Sequence, residues 1–240
     1  VFVLIEAIKA EHAFQAVYLK PHRGDYYPMK RVLMLLANGV EPMEMAAFTD
    51  VLGWADLLGD FPLELVNAGL RRKIVTTFGL TINPRFLLRD LDMSSFDALA
   101  LPGGFEPSGF YEEALSEPFL ETIRYFVEAG KPVASVCVSS VCLGVAGVLR
   151  GRNATTYHQE GGKRKNQLVE TGALFVDRPV VVDDNIITSS GPGTATEVAF
   201  LLLEKLTSSE NATFIRQKMR FATPDRNWFE TPQVPEALIQ

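Results

Sequence analysis

Two cysteines stand five residues apart in the stretch KPVASVCVSSVCLGVAGVLRG, 131–151, and their surroundings differ. Cys137 follows an apolar run of strand length, 132–136, and precedes a helical pattern that begins at Ser139, so it falls where a strand turns into a helix. A thiol in such a turn points out of the sheet toward unpaired backbone N–H groups and the positive end of the helix dipole. Both favour the thiolate and lower the free pKa of about 8.5. The competing reading is a small buried hydrophobe, the usual state of a cytosolic cysteine, and both readings stay open on these residues. Cys142 sits among Val141, Leu143 and Val145 inside the helical pattern and reads as core filling.

Glu44 is the second residue of interest. Steps of four and seven from it reach Phe48 and Val51, which places a carboxyl on the face of a helix that packs against the sheet. One reading is a first-turn acid stabilised by the helix N-terminus, a position that Glu41 and Glu44 both fit. The other is a desolvated carboxyl, protonated near neutrality and able to donate a hydrogen bond to a thiolate. LPGG, 101–104, ends a strand with Gly103 and Gly104, whose backbone can approach a reacting group and offer N–H donors to an oxyanion. His158 lies just past another strand end and could serve as base or acid beside Cys137. SGPGT, 190–194, sets Gly191 and Pro192 ahead of a helix, a turn that shapes a pocket but matches neither a P-loop nor a GxGxxG fingerprint. His12 and His22 fall in a weakly patterned N-terminal stretch and read as solvated.

The elements that must position these groups alternate. RVLMLLANG, 31–39, FPLELVNAG, 61–69, FDALALPGG, 96–104, and 132–136 read as buried strands. Helical spacing follows the first of them and fills 112–131 and 139–149, and two closing helices follow Gly193. KIVTTFGLTI, 73–82, suggests short strands around a turn. QEGGKRKNQ reads as a loop or a short exposed helix, and ALFVDRPVVVDDNIITSSG as strands joined at an Asp-Asp-Asn turn. Strands alternating with helices argue for βαβ units and a mostly parallel sheet, in which a ligand lies beyond the carboxyl ends of the strands.

The bulk numbers narrow the function classes. A chain of 240 residues, 47% hydrophobic, holds one large α/β domain, and a net charge of −6 gives no general attraction to nucleic acid or anionic membranes. Two cysteines and three histidines make neither a disulfide framework nor a zinc cluster. We therefore expect no metal and no organic cofactor, a reducing, cytoplasmic setting, and no membrane-spanning helix, with an upstream targeting segment left open.

Taken together and in order, ANGVEPME, LPGG, ASVCVSS, ATTYH and SSGPGTATE resemble the ThiJ/PfpI superfamily, and most closely its parkinsonism-associated DJ-one branch. The resemblance covers roughly residues 30–220. It implies a flavodoxin-like three-layer sandwich of the class I glutamine amidotransferase-like kind, a homodimer, and a domain over 31–221 flanked by an extension, 1–30, and a tail, 222–240. Matched position by position, Cys137 is the elbow cysteine, Glu44 the protonated glutamate beside its sulfur, Gly104 the site-facing amide, and His158 the nearby histidine. The Val138 amide joins Gly104 as an oxyanion donor. The resemblance further implies cysteine-dependent chemistry of the deglycase or glyoxalase type on a small aldehyde or dicarbonyl. A redox-sensing stress protein and a cysteine amidase or peptidase are the alternatives. Val138 stands where the peptidase-like branches often carry a histidine, which counts against the last. GWADLLGD, 53–60, reads as an insertion that puts Trp54 where the DJ-one branch has an arginine lining an anion pocket.

Overall fold

The run KRVLMLL becomes β1 (Lys30–Leu36) inside a seven-stranded sheet in the computed structural model, which describes residues 27–224. From Val32 onward β1 is buried on both faces, so its side chains have no polar face to alternate with. Its neighbours are β2 (Leu63–Gly69) and β6 (Ala98–Leu101), both parallel to it. The sheet continues through β7 (Val133–Ser135) to β11 (Ile186–Ser189), with β10 (Val180–Asp183) antiparallel at one edge and the two-residue β5 (Phe86–Leu87) at the other. The expected short strands around 73–82 form an antiparallel pair, β3 (Ile74–Val75) and β4 (Thr81–Ile82). A further pair joins β8 (Asn153–Ala154) to β9 (Leu174–Phe175).

Helices cover both faces, as a buried parallel sheet requires. On one face α1 (Pro42–Leu58) packs with the two closing helices, α6 (Ala195–Leu206) and α7 (Ser209–Lys218). On the other, α2 (Phe110–Ala114) and α3 (Glu117–Glu128) lead to α4 (Ser139–Val145) and α5 (Arg164–Glu170). Phe48, Phe110, Phe119 and Phe126 are fully buried between helices and sheet. The flavodoxin-like, mostly parallel three-layer sandwich is therefore the observed architecture.

One expectation is corrected. The single helix at 112–131 is two, α2 and α3, because Pro118 has no N–H to donate to the Ala114 carbonyl four residues back and its ring crowds that carbonyl, so the chain leaves the helix at Leu115 and restarts it with Pro118 in the first turn of α3. Residues 53–58, read as part of an insertion, are the last turns of α1, and Trp54 lies 41% exposed on that helix. The stretch at 159–167, read as a loop or a short exposed helix, is a loop that leads into the short helix α5 at Arg164, whose side chain is only 14% exposed. Most of the N-terminal extension, residues 1–26, and of the tail, 225–240, lies outside the described residues. No helix among the described residues is long and apolar enough to cross a membrane.

Candidate active site

The carboxyl ends of β1, β6, β7 and β11 open on the same edge of the sheet. They bring together Ala37–Val40, Pro102–Gly104, Val136–Val138 and Ser190–Pro192. An isolated antiparallel bridge pairs Val40 with Gly104 and ties the first two of these turns to each other.

Cys137 occupies the seam between β7 and α4 with φ +60°, a left-handed backbone that a residue other than glycine adopts only when its surroundings enforce it. The enforcement is visible on both sides of the residue. The Cys137 N–H donates to the Ser189 carbonyl at 3.0 Å, and its carbonyl accepts from Thr156 Oγ1 at 3.0 Å. One residue earlier, the Val136 N–H donates to the Leu101 carbonyl at 3.0 Å and to Ser139 Oγ at 3.1 Å. Such an elbow holds the thiol above the sheet while leaving the chain free to start a helix.

Glu44 is fully buried on α1, the helix whose N-cap is Glu41 and whose first turn contains Pro42. The capping role goes to Glu41, which accepts the Glu44 N–H through Oε2 at 2.8 Å. That frees the Glu44 side chain to reach under β6, where Oε2 accepts the Gly103 N–H at 2.6 Å. Gly103 has no room for a side chain, since a Cβ would lie 2.8 Å from the Val136 carbonyl oxygen and 2.9 Å from Glu44 Oε2. Burial pushes the Glu44 carboxyl up to about 8, against the lowering effect of the Gly103 bond and with help from the nearby Glu41 charge. The carboxyl is then protonated at neutral pH. With Oε2 acting as the acceptor, the proton belongs on Oε1, which makes no hydrogen bond of full geometry among the described residues, and the carboxyl as a whole interacts with the Cys137 thiol.

The thiol departs from its expected ionisation. Cys137 is 5% exposed, and burial pushes its pKa up, with the Glu44 charge adding to the rise and the Val138 N–H, which points at the sulfur, opposing it. Desolvation outweighs the turn geometry that argued for an easily formed thiolate. Thiol and carboxyl thus act as a coupled pair whose protons leave in steps that belong to both. Cys142 is buried within α4, as core filling requires.

A cavity of about 240 Å³ opens over the thiol, lined by Gly104, Phe105, Val138 and Pro192 together with Tyr157 and Arg164. Gly104, Val138 and Pro192 therefore line the cavity that holds Cys137. The Gly104 N–H makes no hydrogen bond among the described residues and is available to an oxyanion. Gly191 stands behind the wall, where a Cβ would lie 3.4 Å from the Tyr157 ring. A larger cavity, about 680 Å³ and lined by Leu70, Leu88, Met93 and Tyr125 among others, contains neither a thiol nor a buried carboxyl. Size alone does not identify the site.

His158 is not beside Cys137. Its Nδ1 donates to the Thr156 carbonyl at 2.8 Å, its Nε2 meets Asp177 Oδ1 at 2.9 Å, and its ring stands edge-on to Phe175. Both nitrogens are committed away from the thiol. The side chain that reaches the cavity is the preceding one, Tyr157, because the chain past β8 sends alternate residues in opposite directions. Arg164 is the second residue that sequence reasoning missed. Its lysine-rich, glycine-preceded context suggested a solvated face, and only the return of α5 over Tyr111, with the guanidinium 4.8 Å from that ring, brings it to the cavity.

With this geometry in view, the comparisons with known proteins agree. Residues 30–205 match the family model described as the DJ-1/PfpI family. Protein dj-1beta of Drosophila melanogaster is 32% identical over 185 residues, covering 75% of this chain and 91% of that protein. Deglycase TK1284 of Thermococcus kodakarensis is 34% identical over 172 residues, covering 68% and 91% respectively. The crystal structure of Drosophila melanogaster DJ-1beta superposes with a TM-score of 0.71 at 31% identity, covering 81% of this chain and all of that one.

Proposed function

Because the chain belongs to the DJ-1/PfpI family, we propose that it is a cofactor-free, cysteine-dependent enzyme of the deglycase or glyoxalase type that acts on reactive dicarbonyls or glycated groups. The observation that carries the reading is the buried pair: a strained elbow thiol facing a carboxyl held protonated at neutral pH. Relatives named as deglycases support the same reaction class.

The reactive state is the pair with one proton: once Glu44 has titrated, its carboxylate takes the proton of the Cys137 thiol, and the sulfur attacks as thiolate. The thiolate attacks the aldehyde carbon of methylglyoxal, forming the S–C bond. The displaced carbonyl electron pair becomes an oxyanion beside the Gly104 N–H and takes the Glu44 proton. Glu44, now a carboxylate, removes the hydrogen on that carbon as a proton and returns it at the neighbouring carbon, while the hydroxyl proton passes from the first oxygen to the second. The product is a lactate thioester, which water hydrolyses to free the thiol. Tyr157 replaces His158 as the polar group placed to guide water. A Cys137→Ala variant should form no lactate from methylglyoxal, and lactate formation equal to wild type would refute the reading.

One observation favours a second reading. The Val138 N–H and the protonated Glu44 both face the sulfur, and such donors suit the oxygens of a sulfinate formed from the thiol by two equivalents of peroxide. A gain of two oxygens at Cys137 after mild peroxide, without turnover of dicarbonyls, would mark a sensor instead. The peptidase reading loses its base, since His158 is the only histidine among the described residues and faces Asp177. We also propose a homodimer, for which the apolar side chains Met43 and Trp54 on α1 and Phe78 and Leu80 on the β3–β4 turn offer exposed surface.

A further inference from the structure

We infer that Arg164 makes this pocket selective for dicarbonyls that carry a second, anionic group, so that the preferred substrate class is a 2-oxoaldehyde with a carboxylate. The inference rests on the dicarbonyl reading above and adds to it which dicarbonyls are taken. Arg164 lines the cavity that holds Cys137, and its guanidinium is largely shielded from solvent between the Tyr111 ring and the loop after Gly104. One nitrogen is held by Gln167 Oε1 at 2.7 Å and another by Glu106 Oε2 at 2.6 Å, which fixes the plane of the fork at the cavity wall.

The charge count at the mouth decides the polarity. Glu106 is shared, because Lys163 Nζ lies 2.8 Å from its Oε2 and 3.1 Å from its Oε1. Two cations face one carboxylate, leaving a net positive charge beside a cavity whose remaining lining is Gly104, Phe105, Pro107, Val138, Tyr157 and Pro192, with the thiol beneath. A substrate carboxylate can take the Glu106 place on Arg164 while Lys163 keeps Glu106 paired, so the exchange strands no charge. Arginine suits the task because its planar fork binds a carboxylate through two parallel N–H donors. Neutral methylglyoxal gains nothing from that contact. An acid of the same reactive head, 4,5-dioxopentanoate, offers an aldehyde to the thiol and a carboxylate to the guanidinium of the same cavity.

The test is steady-state kinetics of the full chain on methylglyoxal and on 4,5-dioxopentanoate, together with calorimetric binding of 4-oxopentanoate, which lacks the aldehyde. Wild type should favour the acid by tenfold or more in kcat/KM, in line with a charge-assisted hydrogen bond. Arg164→Met should bring the ratio near one, and Glu106→Gln, which removes the competing carboxylate, should raise it. A wild-type ratio near one, an equal loss on both substrates in Arg164→Met, or a lower ratio in Glu106→Gln would overturn the inference. Glu106→Gln decides alone if Arg164→Met fails to fold. If neither dicarbonyl is turned over but 4-oxopentanoate binds wild type at least tenfold tighter than Arg164→Met, the anion site stands and the dicarbonyl function falls. If methylglyoxal is turned over and 4-oxopentanoate binds both proteins equally, the anion site falls alone.

Discussion

Replacing Glu44 by glutamine should change how stability depends on pH. Glutamine keeps the shape of the side chain, its amide oxygen can accept the Gly103 N–H that Glu44 Oε2 accepts at 2.6 Å, and it cannot ionise. In the unfolded chain Glu44 loses its proton near 4.5, whereas the folded protein keeps it to about 8. The folded pKa is raised, so the native state binds the extra proton between these values. The stability linked to that proton is complete below the unfolded value and is lost as pH rises through the folded one. At ~1.36 kcal/mol per pH unit, the window from 4.5 to about 8 amounts to roughly 5 kcal/mol. Urea unfolding of both proteins at half-unit steps from pH 4 to 9 isolates this contribution, because every other carboxylate is common to the two and cancels in the difference. Wild type should weaken relative to Glu44→Gln by about one kilocalorie per pH unit across the window, with the difference flat below it. A difference that stays flat throughout would mean that Glu44 is ionised in the native state, and the account of the thiol–carboxyl pair would fail.

Other outcomes follow from the same geometry. The pair must lose one proton to become reactive, so kcat/KM on methylglyoxal should rise with unit slope up to an apparent pKa of about 8, the value at which Glu44 titrates. A profile that falls between pH 6 and 8 would contradict the one-proton state. His158→Ala should leave lactate formation within about twofold while costing about 1 kcal/mol of stability from its two hydrogen bonds; a hundredfold loss of activity would restore the histidine to the mechanism. Gly104→Ala places a Cβ 2.3 Å from the Gly39 carbonyl oxygen and 2.4 Å from the Phe110 ring, so thermal unfolding should show a destabilisation on the order of 1–3 kcal/mol. Light scattering of the full chain should give the mass of a dimer, and Trp54→Glu should shift it toward the monomer.

The strands were legible in the sequence wherever both faces are buried, because β1 and β6 carry apolar runs bounded by Asn-Gly and Gly-Gly. The elbow at Cys137 was legible for the same reason, as the point where one period gives way to another. Glu44 showed itself through helical spacing, since a carboxyl in register with Phe48 and Val51 has to be buried. What one dimension concealed was direction and burial. Tyr157 and His158 are adjacent in sequence and point opposite ways, a difference set by how the chain leaves β8 rather than by residue type. The ionisation of Cys137 turned on desolvation and then on the charge of Glu44, which arrives from a separate segment of the chain. Arg164 was concealed among polar neighbours because only the packing of α5 over Tyr111 turns it inward.

The positive φ at Cys137 has a stereochemical consequence. A thiol whose direction is set by its own backbone, with the Gly104 amide available on one side and the Glu44 carboxyl on another, presents an asymmetric surface to a flat carbonyl. In the proposed reaction, a substrate whose oxygen turns toward the amide would expose one of its two faces to sulfur, and the hemithioacetal would form with one handedness. The carboxyl then returns the proton from the side on which it is buried, so a 2-hydroxy acid made here leaves as a single enantiomer.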